Sequence, residues 1–347
     1  MVRKPPLSRM VVYIAVIAAM ALTAAPGTIA QDTSSGDGDC PDLTREEKIA
    51  YARNWTEVAL NENRLDEFDA YVAENVIYDA GLYPGLTSRD ELKAVFEHLL
   101  ATFPGIRFSV EQVVAEGDYV AVRWLGVGPH EGAFLGVAPT GRTVSFTGIN
   151  MYRFSCGQIV EGWSESDGLE LRMQLESDVS ELPPDAPGDA ASASPESSCE
   201  TGARSDNVGL ALRWLSVWST KDVSTFDEVA HPDIVHHWAQ HDDTTGLDQL
   251  KEGVQVFFTG FPDFVLVPQF TIVDGDWVVI HFTVTGTQTG PFLELEPSGA
   301  RATWTGTNLF RIECGQIVES WSEVDSLGLR SQLAAPQDTA TPAAWER

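Results

Sequence analysis

The chain is short of positive charge. Against 51 Asp and Glu it sets only 22 Lys and Arg, a formal net charge of −29. A surface so acidic repels phosphate backbones, which argues against a nucleic-acid partner. It has four cysteines and no Cys-x-x-Cys, and its one His-x-x-x-His, His237 with His241, has no Cys-x-x-Cys to complete it. The spacings of a zinc site are therefore incomplete, and no metal is expected. Also lacking are a nucleophile elbow of the Ser-His-Asp type, a phosphate loop and a dinucleotide fingerprint. Long apolar runs are absent apart from Val11 to Leu22, which is short for a membrane span. With Arg3, Lys4 and Arg9 ahead of it and small residues up to Ala30 behind it, that run reads as a secretory signal peptide over residues 1–30, the alternative being an uncleaved N-terminal anchor. Without those three cations the charge becomes −32. The expected location is secreted or extracytoplasmic, with no membrane contact after signal cleavage.

What is present is a repetition. "CGQIVEGWSESDGLELRMQL" (156–175) returns as "CGQIVESWSEVDSLGLRSQL" (314–333), identical at fifteen of twenty positions. The offset of 158 extends upstream: "GPHEGAFLGVAPTG" (128–141) answers "GTQTGPFLELEPSG" (286–299), and Trp55 answers Trp214 at 159. This is a tandem duplication of an ordinary domain-sized unit. The expected segments are 31–43 as an N-terminal stretch, 44–176 and 203–334 as the two domains, and 335–347 as a tail. Between the domains, residues 177–202 are rich in Pro, Ala, Ser and acid and read as a linker.

Each unit runs from helices to strands. Thr44 to Glu47 and Ser88 to Glu91 are capping boxes opening helices, and "LDEFDAYV" from Leu65 is a shorter helix. From Ile106 the apolar period becomes two, with hairpins at Glu116-Gly117-Asp118 and Cys156-Gly157-Gln158. The pattern predicts α+β domains, each with N-terminal helices packed on a curved antiparallel sheet around a pocket. The two copies could pair through their sheets as an intramolecular pseudo-dimer, or the chain could form a homo-oligomer.

The cysteines follow the repeat. Cys40 and Cys199 precede the two first helices, while Cys156 and Cys314 occupy matching hairpins. Only the pairing Cys40–Cys156 and Cys199–Cys314 preserves both the symmetry and a single-domain ancestor.

The segments "FPGIRF", "VVAEGDYVAVRW", "GPHEGAFLGVAPTGR", "INMYRF" and "CGQIVEGWSESDGLELRMQL", with their second-copy counterparts, resemble the SnoaL-like polyketide cyclase (ester cyclase) family of the nuclear transport factor 2-like superfamily. The resemblance implies a cone-shaped fold and intramolecular aldol chemistry without a cofactor. A carboxylate behind the last-strand tryptophan serves there as general acid/base. Those positions are Asp167 and Asp325, and an apolar pocket would raise their pKa. Trp163 and Trp321, four residues earlier, would wall the pocket, with Glu161 and Glu165 on the face of Trp163. The alternative for each Asp is a cap for the helix that follows.

The family's histidines match His237 and His130. Tyr78 and Asp79 replace the pair His236-His237 in the first copy, and Gln288 replaces His130 in the second. His130 could equally be a surface-loop residue. Tyr78 and His236 are candidate ligand contacts, and Asn150 and Asn308 could each hydrogen-bond a ligand carbonyl. Arg153 and Arg311 are expected to pair with sheet acids. The expected function is cyclisation, isomerisation or hydrolysis of a small apolar carbonyl compound. A binding module without turnover, or a structural tandem, is the alternative.

Overall fold

A computed structural model describes residues 40, 42–81, 83–177, 202–239 and 242–334. The expected signal peptide, most of the linker with Cys199, and the tail lie outside them.

The first repeat opens on α1 (Arg45–Arg53), continued as a π-helical stretch through Ala59. The Thr44 hydroxyl accepts from the Glu47 N–H at 3.3 Å and the Glu47 carboxylate accepts from the Thr44 N–H at 2.8 Å, completing the expected box. A short 3-10 turn and α2 (Phe68–Tyr71) lead into β1 (Val72–Ala80) and β2 (Tyr83–Leu86), then α3 (Arg89–Thr102). Here the second box is incomplete. Ser88 caps the Glu91 N–H, but the Glu91 carboxylate accepts from Thr87, one residue earlier, at 2.9 Å.

β3 (Arg107–Glu116), β4 (Tyr119–Pro129), β5 (Thr143–Ser155) and β6 (Gln158–Ser166) form the meander, turning at the two hairpins read from the sequence, and α4 (Gly168–Glu176) closes the repeat. The second repeat follows the same plan: α5 (Arg204–Thr220), α6 (Thr225–Val229), β7 (Ala230–Trp238), β8 (Thr244–Thr245), α7 (Leu247–Gly260), β9 (Val265–Asp274), β10 (Trp277–Thr287), β11 (Arg301–Glu313), β12 (Gln316–Val324) and α8 (Ser326–Ala334).

Strand order is β2-β1-β6-β5-β4-β3, repeated as β8-β7-β12-β11-β10-β9. The antiparallel expectation needs one correction. β1 lies parallel to β6, and β7 parallel to β12, so each sheet is mixed. α3 carries the chain from β2 to β3 at the far edge, and the meander works back until β6 lies beside β1 in the same direction.

The sheets pack on each other through their outer faces. Val114, Ala121, Ile149 and Met151 meet Ile272, Val279 and Leu309, and all seven are at most 2% exposed. β5 is therefore buried on both sides from Gly148 to Tyr152. At the rim Trp163 lies 4.7 Å from Phe270, and the Arg123 guanidinium sits 5.4 Å above Trp321.

The edge strands are closed reciprocally. The Val273 N–H donates to Glu116 at 3.0 Å and the Ala115 N–H donates to Asp274 at 3.4 Å. Arg204 holds Glu116, and Arg45 holds Asp274. Glu116→Ala and Asp274→Ala should each lower the unfolding free energy by about 1 kcal/mol, since each leaves a strand N–H without its acceptor. Denaturant titration checks this, and wild-type stability in both variants would show the crossed bonds to be ornamental.

The Cys40–Cys156 disulfide is formed, with Cα atoms 5.1 Å apart. It ties the segment before α1 to the β5–β6 turn, where Cys156 and Gly157 have φ of 50° and 77°. Cys314 is also disulfide-bonded, and its expected partner Cys199 is not among the described residues.

Candidate functional site

Each repeat encloses a cavity between its helices and the concave face of its sheet. The first, about 100 Å³, has an apolar wall that includes Phe96, Phe108, Trp124, Phe134 and Phe146. Its polar contributors include Tyr78 from β1, Asn150 from β5, and Ser164 and Ser166 from β6. Strand alternation sets this grouping: Asn150 and Tyr152 point inward while Ile149 and Met151 point to the other repeat.

The polar groups bond to one another. The Ser164 hydroxyl donates to Asn150 Oδ1 at 2.7 Å, and Asn150 Nδ2 donates to the Tyr152 hydroxyl at 2.8 Å. Burial holds both phenols protonated, Tyr152 pushed up to about 12 and Tyr78 well above its ordinary value, with Tyr78 beside Tyr152 and Ser164. Gly162 makes room for this arrangement, since a Cβ there would lie 2.3 Å from the Tyr78 ring.

The second cavity is about 30 Å³. At the repeat offset, Trp218 stands where the first repeat has Ala59 and Trp238 where it has Ala80, and both indoles line what space is left. Phe310 replaces Tyr152, and the pair His236/Ser320 replaces Tyr78/Gly162. The buried His236 accordingly bonds Ser320 through Nδ1 at 2.7 Å, and burial, with His237 beside it, lowers its pKa to about 3. Asn308 lines this smaller cavity.

The expected acid/base residues sit elsewhere than expected. Asp167 is the N-cap of α4, accepting the Glu170 N–H at 2.9 Å, and Asp325 accepts the Gly328 N–H at 2.8 Å at the head of α8. Neither lines either of these two cavities. Both carboxyls are nonetheless held above the ordinary range. Burial is the main cause, reinforced by Glu323 at Asp167 and by Asp79 at Asp325.

Trp163 and Trp321 wall neither of these cavities. Parity does put Glu161, Trp163 and Glu165 on one face, but that face is the outer one, against the other repeat. The inner face of β6 carries Gly162, Ser164 and Ser166. His237 shares the outer side, stacked on Trp321 at 5.1 Å and bonded to Asp243 (2.7 Å) and Glu319 (3.1 Å). Burial alone would lower its pKa, but those two carboxylates outweigh it and raise it.

His130 is neither in a cavity lining nor a surface residue. It is 0% exposed, and its Nδ1 accepts the Thr140 N–H at 3.2 Å, clasping the β4–β5 loop. Gln288 clasps the equivalent loop through Ser298. Arg153 and Arg311 pair with Glu161 and Glu319, as expected of sheet residues. Tyr152, Ser164 and Ser166 went unnoticed in the sequence. The signal for Tyr152 was its contrast with Phe310 and for Ser166 its contrast with Val324, while Ser164, matched by Ser322, carried none.

Among the described residues, no three His, Cys, Asp or Glu side chains are grouped to hold a metal ion, and no helix is long and apolar enough to cross a membrane.

No curated relative of significant similarity is found. Among solved structures, a protein described as a SnoaL-like polyketide cyclase from Jannaschia sp. CCS1 is 29% identical, covering 41% of this chain and 98% of its own, with a TM-score of 0.37. IdmH from Streptomyces antibioticus, described as a polyketide cyclase, is 30% identical over 39% of this chain and all of its own, with a TM-score of 0.34. TsrD from Streptomyces laurentii is 27% identical over 39% of this chain and 99% of its own, with a TM-score of 0.36. The SnoaL-like polyketide cyclase profile matches residues 50–175 and again 209–333. The chain therefore belongs to the SnoaL-like polyketide cyclase family, in two tandem copies.

Proposed function

We propose that the first repeat is the ligand-handling half of an exported protein. Its cavity takes a small, mostly apolar carbonyl compound for cyclase- or isomerase-type proton chemistry that uses no cofactor. The observation that carries this reading is the bonded set Tyr78, Asn150 and Ser164, backed by Tyr152, in an otherwise mostly apolar cavity. Neutral donors fixed in an apolar surround stabilise the negative charge that develops on a carbonyl oxygen during enolisation. Asp167 directly follows the cavity residue Ser166 and would move the proton, its raised pKa suiting a carboxyl that both accepts and returns one. The disulfide supports export to an oxidising compartment. A second reading, binding without turnover, is favoured by one feature: Asp167 is engaged as a helix cap and no carboxylate lines the cavity.

Acetophenone, with ethylbenzene as its hydrocarbon counterpart, separates the two. Calorimetry should show one acetophenone per chain, bound about tenfold more tightly than ethylbenzene, as one added hydrogen bond of about 1.4 kcal/mol gives. Exchange of the ketone's methyl protons in D₂O then reports proton abstraction. Asn serves as well as Asp at an N-cap, so Asp167→Asn should keep the fold and the binding while exchange stops. Binding without exchange in the wild type selects the second reading. No binding, or none that prefers the ketone, contradicts both.

A further inference from the structure

The contact between the repeats contains two buried carboxylates at equivalent places. Glu165 on β6 and Glu323 on β12 are each 3% exposed. Their surroundings differ in charge. Glu323 accepts from the Thr147 hydroxyl at 2.6 Å and faces Arg123 and His237. Glu165 faces the Thr305 hydroxyl on β11 and three carboxyls: Asp325 at the head of α8, Asp79 on β1, and Glu323. In both glutamates Oε2 is buried without a hydrogen bond. The repeat offset accounts for the difference in charge. His281 stands where the other side has Arg123, and Asp79 where it has His237. Burial holds His281 neutral, its pKa lowered to about 4. One carboxylate thus has cations facing it, while its twin is surrounded by acids.

We propose that Glu165 is a proton-operated latch between the repeats: as a neutral acid it closes the sheet-to-sheet contact, and as a carboxylate it loosens that contact and β6. β6 also carries Ser164 and Ser166, which line the ligand cavity on its other face. The latch would therefore tune that cavity, and this part rests on the function proposed above.

Burial, with Asp325, Asp79 and Glu323 adding to it, raises the pKa of Glu165 well above the ordinary carboxylate value. A group shifted in this direction contributes its full stability below the unfolded value, about 4.5 for Glu, and loses it as pH rises through the folded value. For Glu323, pushed up by burial to about 7, the loss spans about 4.5 to 7. For Glu165 the loss runs from the same unfolded value up through its own raised folded value.

The experiment is amide exchange of β6 peptides in the full chain between pH 6 and 9, corrected for intrinsic rates, alongside acetophenone titration. Wild-type β6 exchange should rise at least about tenfold, the equivalent of one pKa unit, and by less than about twofold in Glu165→Gln. Asp79 is exposed, so Asp79→Asn leaves the packed contact intact while removing a like charge. It should end the rise at lower pH and shrink it. A Glu165→Gln profile equal to wild type overturns the latch, and so does an unaltered Asp79→Asn profile if Glu165→Gln fails to fold. The link to the cavity predicts acetophenone affinity falling over the same pH range in the wild type but not in Glu165→Gln. Affinity that ignores pH while β6 exchange follows it overturns the link alone. Absence of acetophenone binding at every pH strikes the proposed function and leaves the exchange result standing.

Discussion

Replacing Cys156 by asparagine should lower the unfolding free energy by roughly 4–5 kcal/mol. The Cys40–Cys156 bond closes a separation of 116 residues. In the chain-entropy view a bridge of that span removes about this much conformational freedom from the unfolded state. Asparagine is the informative replacement because Cys156 has φ 50°. Asn tolerates this left-handed conformation better than most residues, so the loss reports the bond and not a strained turn. Cys40→Ser should show the same loss, and the double variant no more than either single one, because all three remove one bond. Denaturant unfolding with and without reductant checks it. A large loss in Cys156→Asn beside a loss under about 1 kcal/mol in Cys40→Ser would place the effect in the turn.

Trp238→Ala is the second large effect. Trp238 fills the space that Ala80 leaves open in the first repeat, beside Trp218 and Phe257 and 4.2 Å from the His236 ring. Removing the indole leaves a void with little prospect of collapse against a rigid sheet, at a cost of about 3–5 kcal/mol. The same substitution should give the second repeat an apolar cavity of the first repeat's kind. Thermal unfolding reads the cost, and binding of ethylbenzene, an apolar probe with no demand for a hydrogen bond, reads the cavity. A variant as stable as the wild type would mean that Trp238 is not a packing element.

These residues also show what the sequence could and could not reveal. The duplication, the helix starts at Thr44 and Ser88 and the hairpins at Gly117 and Gly157 were legible, because capping and turn chemistry are local. Which face of β6 looks inward was not. Strand parity grouped Glu161, Trp163 and Glu165 correctly, yet a tryptophan on a strand reads as inward whenever the outer face is assumed wet. Here the outer face is covered by the other repeat, so Ile149 and Met151 are as buried as Tyr152. Hydrophobicity alone cannot rank two buried faces. Asp167 shows the same limit. Behind a strand and ahead of a helix, one carboxyl satisfies both the cap and the catalytic pattern, and only the 2.9 Å bond from Glu170 shows that it caps. Asn150 and Tyr78 were expected as candidate ligand contacts, and both line the cavity. The hub between them, Tyr152, shows only as a contrast with Phe310 between the repeats.

The division of labour between the repeats is tested most directly by Ala80→Trp, which gives the first repeat the residue that fills the second. Acetophenone binding to this variant should fall by about 100-fold, near 2.7 kcal/mol, with the unfolding midpoint close to that of the wild type. Full acetophenone affinity in a folded Ala80→Trp protein would contradict the account, because the ligand would then lie outside the cavity of the first repeat.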